Sequence, residues 1–388
     1  MHGARPYGKT SMTPSSFDVI VAGLGAMGSA TIARLAIHGK RVLGLDRWAP
    51  GHSFGSSHGD SRIIREMYFE HPMYVPLVQR AHVLWRELEE RTATPLMHVV
   101  GGLMIGPEGG SLVQGTLRSA REHGLPHAVL ERDEVSRRFP AFALRAGDVA
   151  VHDPGAGYLD PEACNAAHLK VAARYGAELR FDEPAVSWRA DGDGVTVKTD
   201  FGEYSAEKLV LSVGARTSHF LPELPLEIER QAVFWFEPGN DLPYHPSHFP
   251  IWAHEYVQGE ICYGFPRLER GVKASVMHSG EICADADEVR RDIDDEEVEP
   301  LRRALAGVLP ALAKAEVAER DTCIFTNTPD RDFIIDFHPV YPQVLVSSAC
   351  SGHGFKFASA IGEVQADLVT GNVSAFDLAP FSIRRFVR

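Results

Sequence analysis

The chain has 388 residues, 44% hydrophobic and 23% charged, an ordinary globular make-up in a chain too long for a single core, so two domains are expected. Its 39 basic and 52 acidic residues give a formal charge of −13, which argues against nonspecific binding to nucleic acid or to an anionic membrane. No apolar run is long enough to span a bilayer, and five cysteines without a C-x-x-C pair argue against a disulfide framework or zinc knuckle, so a reduced, cytoplasmic setting is expected.

Residues 1–16 are polar, lack an apolar signal core and read as a disordered leader. Phe17 to Ala22 reads as a short strand. Gly23 to Gly28 then opens a helix to about Ile37, closed by Gly39, and Arg41 to Asp46 is the next strand. Leu77, Ala81, Leu84, Trp85 and Leu88 recur at helical spacing and place a long helix over Val75 to Arg91. Short strands follow from 93 to 150, with a helix near Ser111 to His123. Pro161 suits the first turn of a helix to Tyr175. Asp191-Gly-Asp-Gly194 joins Ala185–Arg189 to Val195–Thr199 as a hairpin, and Lys208 to Gly214 reads as a buried strand.

Residues 226–322 alternate as strands rich in aromatics and prolines, then turn acidic. Asp294 with Glu297 predicts a capping box, and Pro300 must kink that helix or lie near its start. The run Asp292 to Glu297 reads as a solvated face, not a metal site. Val344 to Ser348 is again a buried strand, and a helix from about Phe357 to Leu368 closes the pattern. The expected fold is α/β. A Rossmann-like dinucleotide domain takes 17–92, 151–225 and 323–388. A second, α+β substrate domain on an antiparallel sheet takes 93–150 and 226–322.

Gly23, Gly25 and Gly28 let the backbone turn tightly, approach a pyrophosphate and pack helix on strand. The helix start offers free N–H groups to phosphate, and Asp46 ends the second strand where a ribose hydroxyl is accepted. This pattern predicts dinucleotide binding without separating NAD from FAD.

Six segments occur in one order: Gly23-x-Gly-x-x-Gly28, Ser56-Ser-His-Gly-Asp-Ser-Arg-Ile-Ile-Arg65, Tyr263-Gly-Phe-Pro266, Lys273, Cys323-x-x-Thr-x-Thr-Pro-Asp330 and Gly352-His-Gly-Phe-Lys356. Through them residues 17–372 resemble the monomeric sarcosine oxidase and N-methyltryptophan oxidase family, FAD-dependent oxidases of secondary amino acids. The resemblance implies FAD bound by Gly23, Gly25, Gly28, Asp46, Arg47 and Ser57. It implies a covalent bond from Cys323 to the flavin, and a flavin-contacting loop at Gly352, His353, Gly354 and Phe355. Arg65 and Lys356 are implied to clamp the substrate carboxylate, with Tyr68 beside them. Arg62 and His58 are implied near the flavin ring, and Lys273 on its oxygen side. Tyr263 and His278 are implied on the substrate side.

Each residue alone also fits a plainer reading. Cys323 alone fits a buried free thiol, the two arginines fit surface ion pairs, and Lys273 and Lys356 fit solvated lysines. Three departures from the family pattern bear on the pocket. Met277 stands where a histidine is common, with His278 one residue later, and Phe325 replaces a tyrosine. The turn between Tyr263 and Lys273 is also one residue shorter.

The expected function is a FAD-dependent oxidase of a secondary amino acid, acting on a small molecule and O2 as a monomer, without a metal. A rival is an oxidase or dehydrogenase of a cyclic imino acid on the same fold. A different class is a flavin electron carrier, against which the Arg65 and Lys356 pair argues.

Overall fold

The computed structural model describes residues 16–386, apart from the side chains of Ser16 and Asp191. The expected leader lies outside the described residues except for Ser16, which opens the first strand.

In chain order, β1 (Ser16–Ala22), α1 (Ala26–Ile37) and β2 (Val42–Leu45) form the opening unit. Then come β3 (Arg62–Ile64), α2 (Val75–Thr92), β4 (Met97–Val99), β5 (Gly102–Pro107) and α3 (Ser111–Glu122). They are followed by β6 (Ala128–Leu130), α4 (Arg132–Arg138), β7 (Asp148–Asp153), β8 (Gly157–Leu159) and α5 (Pro161–Arg174). Next are β9 (Glu178–Arg180), β10 (Ser187–Asp191), β11 (Gly194–Lys198), β12 (Glu203–Leu211) and α6 (Thr217–Phe220). The second half holds β13 (Glu227–Glu237), β14 (Ile251–Val257), β15 (Glu260–Leu268), β16 (Gly271–Val276) and β17 (Glu281–Cys283). It ends with α7 (Glu299–Ala306), β18 (Glu316–Asn327), β19 (Ile334–Phe337), β20 (Val344–Ser348) and α8 (Ala358–Val369).

The first sheet runs β10-β11-β12-β1-β2-β9, with β20 beside β12 and β19 beside β20. Its centre is parallel: β1 pairs with β12 and β2, and β12 with β20. Val19 to Ala22 are buried on both faces, as a parallel strand covered on each side must be. Helix α1 packs between α5 and α8, and α2 lies across α8 and α5.

The second sheet runs β17-β13-β16-β15-β14-β5-β7-β6, with β18 along β13. It is antiparallel as expected except at β14 and β5, which pair parallel. Leu103, Trp252, Phe236 and Leu305 fill the core between this sheet and α7. A small sheet, β3-β8-β4, carries Arg62 at its edge.

The capping box forms with both halves, Asp294 and Glu297. It opens a single 3-10 turn, and Pro300 sits in the first turn of α7 and introduces no kink. Strand β18 is continuous through 322 and 323, where the sequence suggested a domain boundary.

Candidate active site

A continuous cleft of about 1060 Å³ runs from the β1–α1 turn to the loop before α8. At its first end stand the three glycines. A Cβ on Gly23, whose φ is +87°, would lie 2.3 Å from Ser212 O, and one on Gly28 would lie 1.8 Å from Gly23 O. Gly25 is the N-cap of α1, with extended backbone and no side-chain cap, so the first N–H groups of the helix face the cleft. Ala26 N–H donates to Ser57 Oγ at 3.2 Å. Asp46 accepts from Leu24 N–H at 2.6 Å and Trp48 N–H at 3.0 Å. Arg47 lies over Trp48 and 3.7 Å from Asp287. Ala substitution at Gly28 collides with backbone, which flexes little. Gly28→Ala is expected to cost about 1–3 kcal/mol or more and to yield colourless protein, read by thermal melting and visible absorption.

Midway, α5 supplies Glu162 and Asn165. Glu162 Oε2 and Asn165 Oδ1 are buried without hydrogen-bond partners among the described residues, as is Ser348 Oγ across the cleft. Buried polar atoms are nearly always satisfied, so these three mark where a polar ligand belongs. A glycine cradle, a helix start, an acid at the strand end and orphaned polar atoms fit a dinucleotide such as FAD.

Beyond this the cleft passes Cys323, on β18. Arg62 Nη2 lies 3.5 Å from Cys323 Sγ and also donates to Ser56 O at 2.9 Å. Arg291 donates to Thr322 O and Phe54 O, tying β18 to the loop ahead of His58. His58 is buried, with Nδ1 3.4 Å from Asp321 Oδ2.

Lys273 is 3% exposed. Its ammonium donates to Gly59 O at 2.5 Å and Ser61 O at 3.0 Å, with Trp235 and Phe265 rings 5.2 and 5.1 Å away. Burial, helped by Arg62, brings its pKa down to about 7.

At the far end, Lys356 is 5% exposed and donates to His353 O at 2.7 Å. Burial first, then Arg65, brings its pKa down to about 7. Arg65 binds both Glu70 oxygens, at 2.9 and 2.7 Å, and lies 4.3 Å from the Tyr68 ring centre. Gly352 and Gly354 let the loop turn here; a Cβ on Gly354 would stand 1.8 Å from Ala349 O. His353 turns its ring into the core, between Tyr68 OH on Nδ1 and Arg331 O on Nε2. Its pKa falls to about 4 through burial, with Lys356 adding in the same direction, so the ring is neutral. Phe355 stacks on Trp85, whose indole N–H donates to Lys356 O at 2.9 Å.

Two expected substrate residues sit elsewhere. Tyr68 is fully buried beneath Arg65 and Lys356, and its neighbour Phe69 lines the cleft instead. His278 leaves β16 with φ +53° and binds Glu229 at 3.0 Å. Met277, whose N–H donates to Ile261 O, lines the cleft in its place. Tyr263 does line it, opposite Ala253 and Ser275 in the sheet. Burial raises its hydroxyl pKa to about 12. Sequence reasoning missed Phe69, Glu70, Glu162 and Asn165.

A glycine-lined cleft that fits a dinucleotide and ends in buried cations under an antiparallel sheet is the arrangement of a nucleotide-dependent oxidoreductase. The model of the FAD dependent oxidoreductase family matches residues 18–368, and the chain belongs to that family. It is 40% identical to a monomeric sarcosine oxidase of Streptomyces avermitilis, over 96% of this chain and 98% of that protein. It is 34% identical to an N-methyl-L-tryptophan oxidase of Yersinia pestis, over 95% and 99%. Among solved structures it resembles NikD, an unusual amino acid oxidase essential for nikkomycin biosynthesis. The TM-score is 0.81 and the identity 25%, covering 95% of this chain and 97% of that one.

Proposed function

We propose that the protein is a FAD-dependent oxidase of secondary amino acids, N-methyl or N-alkyl, acting as a cytoplasmic monomer. The H–C–N–H unit of the substrate becomes C=N, and O2 becomes H2O2. Water then splits the imine, to an aldehyde and a primary amino acid where an N-methyl group was oxidised. When bound, FAD supplies the redox chemistry, and the chain supplies binding, orientation and charge.

The observation that carries this reading is a charge deficit. Arg65 and Glu70 neutralise each other, and among the described residues buried Lys356 beside them hydrogen-bonds a carbonyl and faces the Tyr68 and Phe357 rings, with no carboxylate of its own. A buried ammonium calls for an anion, and a substrate carboxylate supplies it. Arg65 can turn its fork from Glu70 to a carboxylate, since that geometry suits both. The substrate nitrogen must be unprotonated, because Arg62, Arg65 and Lys356 repel a second cation. The apolar wall of Ala253, Ile261, Met277 and Phe325 faces the rest of the molecule. Lys273, on β16, serves the reaction with oxygen. The names of the two relatives support the same reading.

Cys323 is read as the covalent anchor, because its sulfur lines the cleft at the position the family motif marks, with Arg62 Nη2 3.5 Å away. After acid precipitation, flavin colour is expected to stay with wild-type protein and to leave with the supernatant for Cys323→Ser. Colour released from the wild type would remove the linkage while leaving the family assignment intact. Peroxide formation from sarcosine or a larger N-methyl amino acid by purified protein tests the activity; its absence across such a series would refute the proposed function.

A further inference from the structure

Glu162 has no role in the chemistry described so far. It stands in the first turn of α5, behind the N-cap Asp160, which accepts from Ala163 N–H at 2.8 Å. An acid there commonly does no more than offset the helix dipole. This one reaches much further. Its Oε1 accepts the N–H of Gly59, 103 residues away, at 2.6 Å, while Oε2 stays buried and lines the cleft.

Gly59 and Asp60 are both left-handed, with φ +92° and +65°, and Ser61 N–H closes on Gly59 O at 2.8 Å. Such a turn persists only where its surroundings hold it. Glu162 grips its N–H side. Lys273 grips its carbonyl side, through Gly59 O and Ser61 O. The charged and titratable groups facing Lys273 are Arg62, Asp60, Glu162 and the Cys323 thiol. Asp60 in turn stands 3.7 Å from Arg270, and Arg270 2.6 Å from Glu319.

We propose that Glu162 is a positioning residue for Lys273: through the Gly59–Ser61 turn it sets where the ammonium sits, and its charge keeps that ammonium protonated for the reaction with oxygen. This rests on the reading of Lys273 as the oxygen-side cation. Hydrogen bond and charge are separable. Glu162→Gln keeps a carbonyl oxygen for Gly59 N–H and loses the charge; Glu162→Ala loses both.

Two measurements on the FAD-loaded protein test it. One is stopped-flow reoxidation of reduced enzyme from mildly acidic to alkaline pH. The other is hydrogen–deuterium exchange of the segment 56–65. Glu162→Gln is expected to move the fall of the oxidation rate to lower pH by about one unit, close to tenfold in rate on the alkaline side, with exchange unchanged. Glu162→Ala is expected to show that shift and faster exchange of the segment. The proposal fails if either the pH profile of Glu162→Gln or the exchange of Glu162→Ala matches wild type. Lys273→Met serves as the control. Oxidation unaffected by it would sink the Lys273 reading itself, and with it the charge role, whatever the Glu162 variants show.

Discussion

Lys273→Met is expected to slow reoxidation of the reduced enzyme by O2 about 10²–10³-fold, the usual loss when one fixed charge-stabilising donor is removed. Anaerobic reduction by substrate, which depends on Arg65 and Lys356, should change far less. The ammonium is 3% exposed and held by two carbonyls, so its charge acts in a medium where water screens it poorly. Methionine fills much the same space without charge or donors. Stopped-flow oxidation of the two proteins decides the matter, and equal rates would remove Lys273 from the oxygen reaction.

The same residue fixes a pH signature. Burial, then Arg62, lowers its pKa to about 7, so the cation is lost as pH rises through that value. The wild-type oxidation rate should fall there, and that of Lys273→Met should not. Stability moves the other way. Between about 7 and the unfolded lysine value, the unfolded chain binds more protons than the folded one, so stability rises with pH. The cost of burying the ammonium is fully present below about 7 and is relieved above it. The methionine variant should lack that part of the slope in a denaturation series.

Much of this site was legible because local pattern and chemistry coincide there. Gly23, Gly25 and Gly28 follow an apolar strand and precede a helix, so one short stretch states both geometry and purpose. Where neighbours in space are far apart in sequence, the pattern falls silent. Glu162 looks like any acid in a first helical turn, and its partner Gly59 lies 103 residues away. Glu70 bears no periodic relation to Arg65. Two misplacements have a common cause. Strand β3 ends at Ile64, so alternation cannot tell whether Tyr68 or Phe69 faces the cleft. Pairing to β15 extends through Met277, and the left-handed His278 then turns the chain toward Glu229. Histidine was the more chemical of those two residues, but backbone register decides which side chain faces inward.

Lys356→Met and Arg65→Met are each expected to weaken binding of an N-methyl amino acid by about 2–5 kcal/mol, the range for truncating one partner of a buried charge pair, which is about 30- to 4000-fold. The uncharged amide of the same amino acid should lose much less, because it brings no carboxylate. The two variants should part company in stability. Burial raises the Glu70 carboxyl, but Arg65 more than offsets it, with Lys356 adding, so the pKa is held below the ordinary value. Arg65→Met strips that partner and leaves Glu70 buried without its cation, so the protein should also be less stable. Arg65→Met with Glu70→Gln should recover stability and not binding. Lys356→Met gives up an ammonium whose burial is itself costly, since burial and Arg65 bring its pKa down to about 7, and should fold at least as well as wild type near neutral pH. A bound carboxylate favours the protonated lysine, so Lys356 takes up a proton on binding above about 7, and wild-type affinity for the neutral-amine form of the substrate should decline as pH rises past that point. Lys356→Met should not show that decline. Anaerobic rapid mixing of substrate with each variant, across pH, reads the binding, and denaturant titration reads the stability. Full carboxylate affinity in either single variant would mean that the carboxylate lies elsewhere in the cleft.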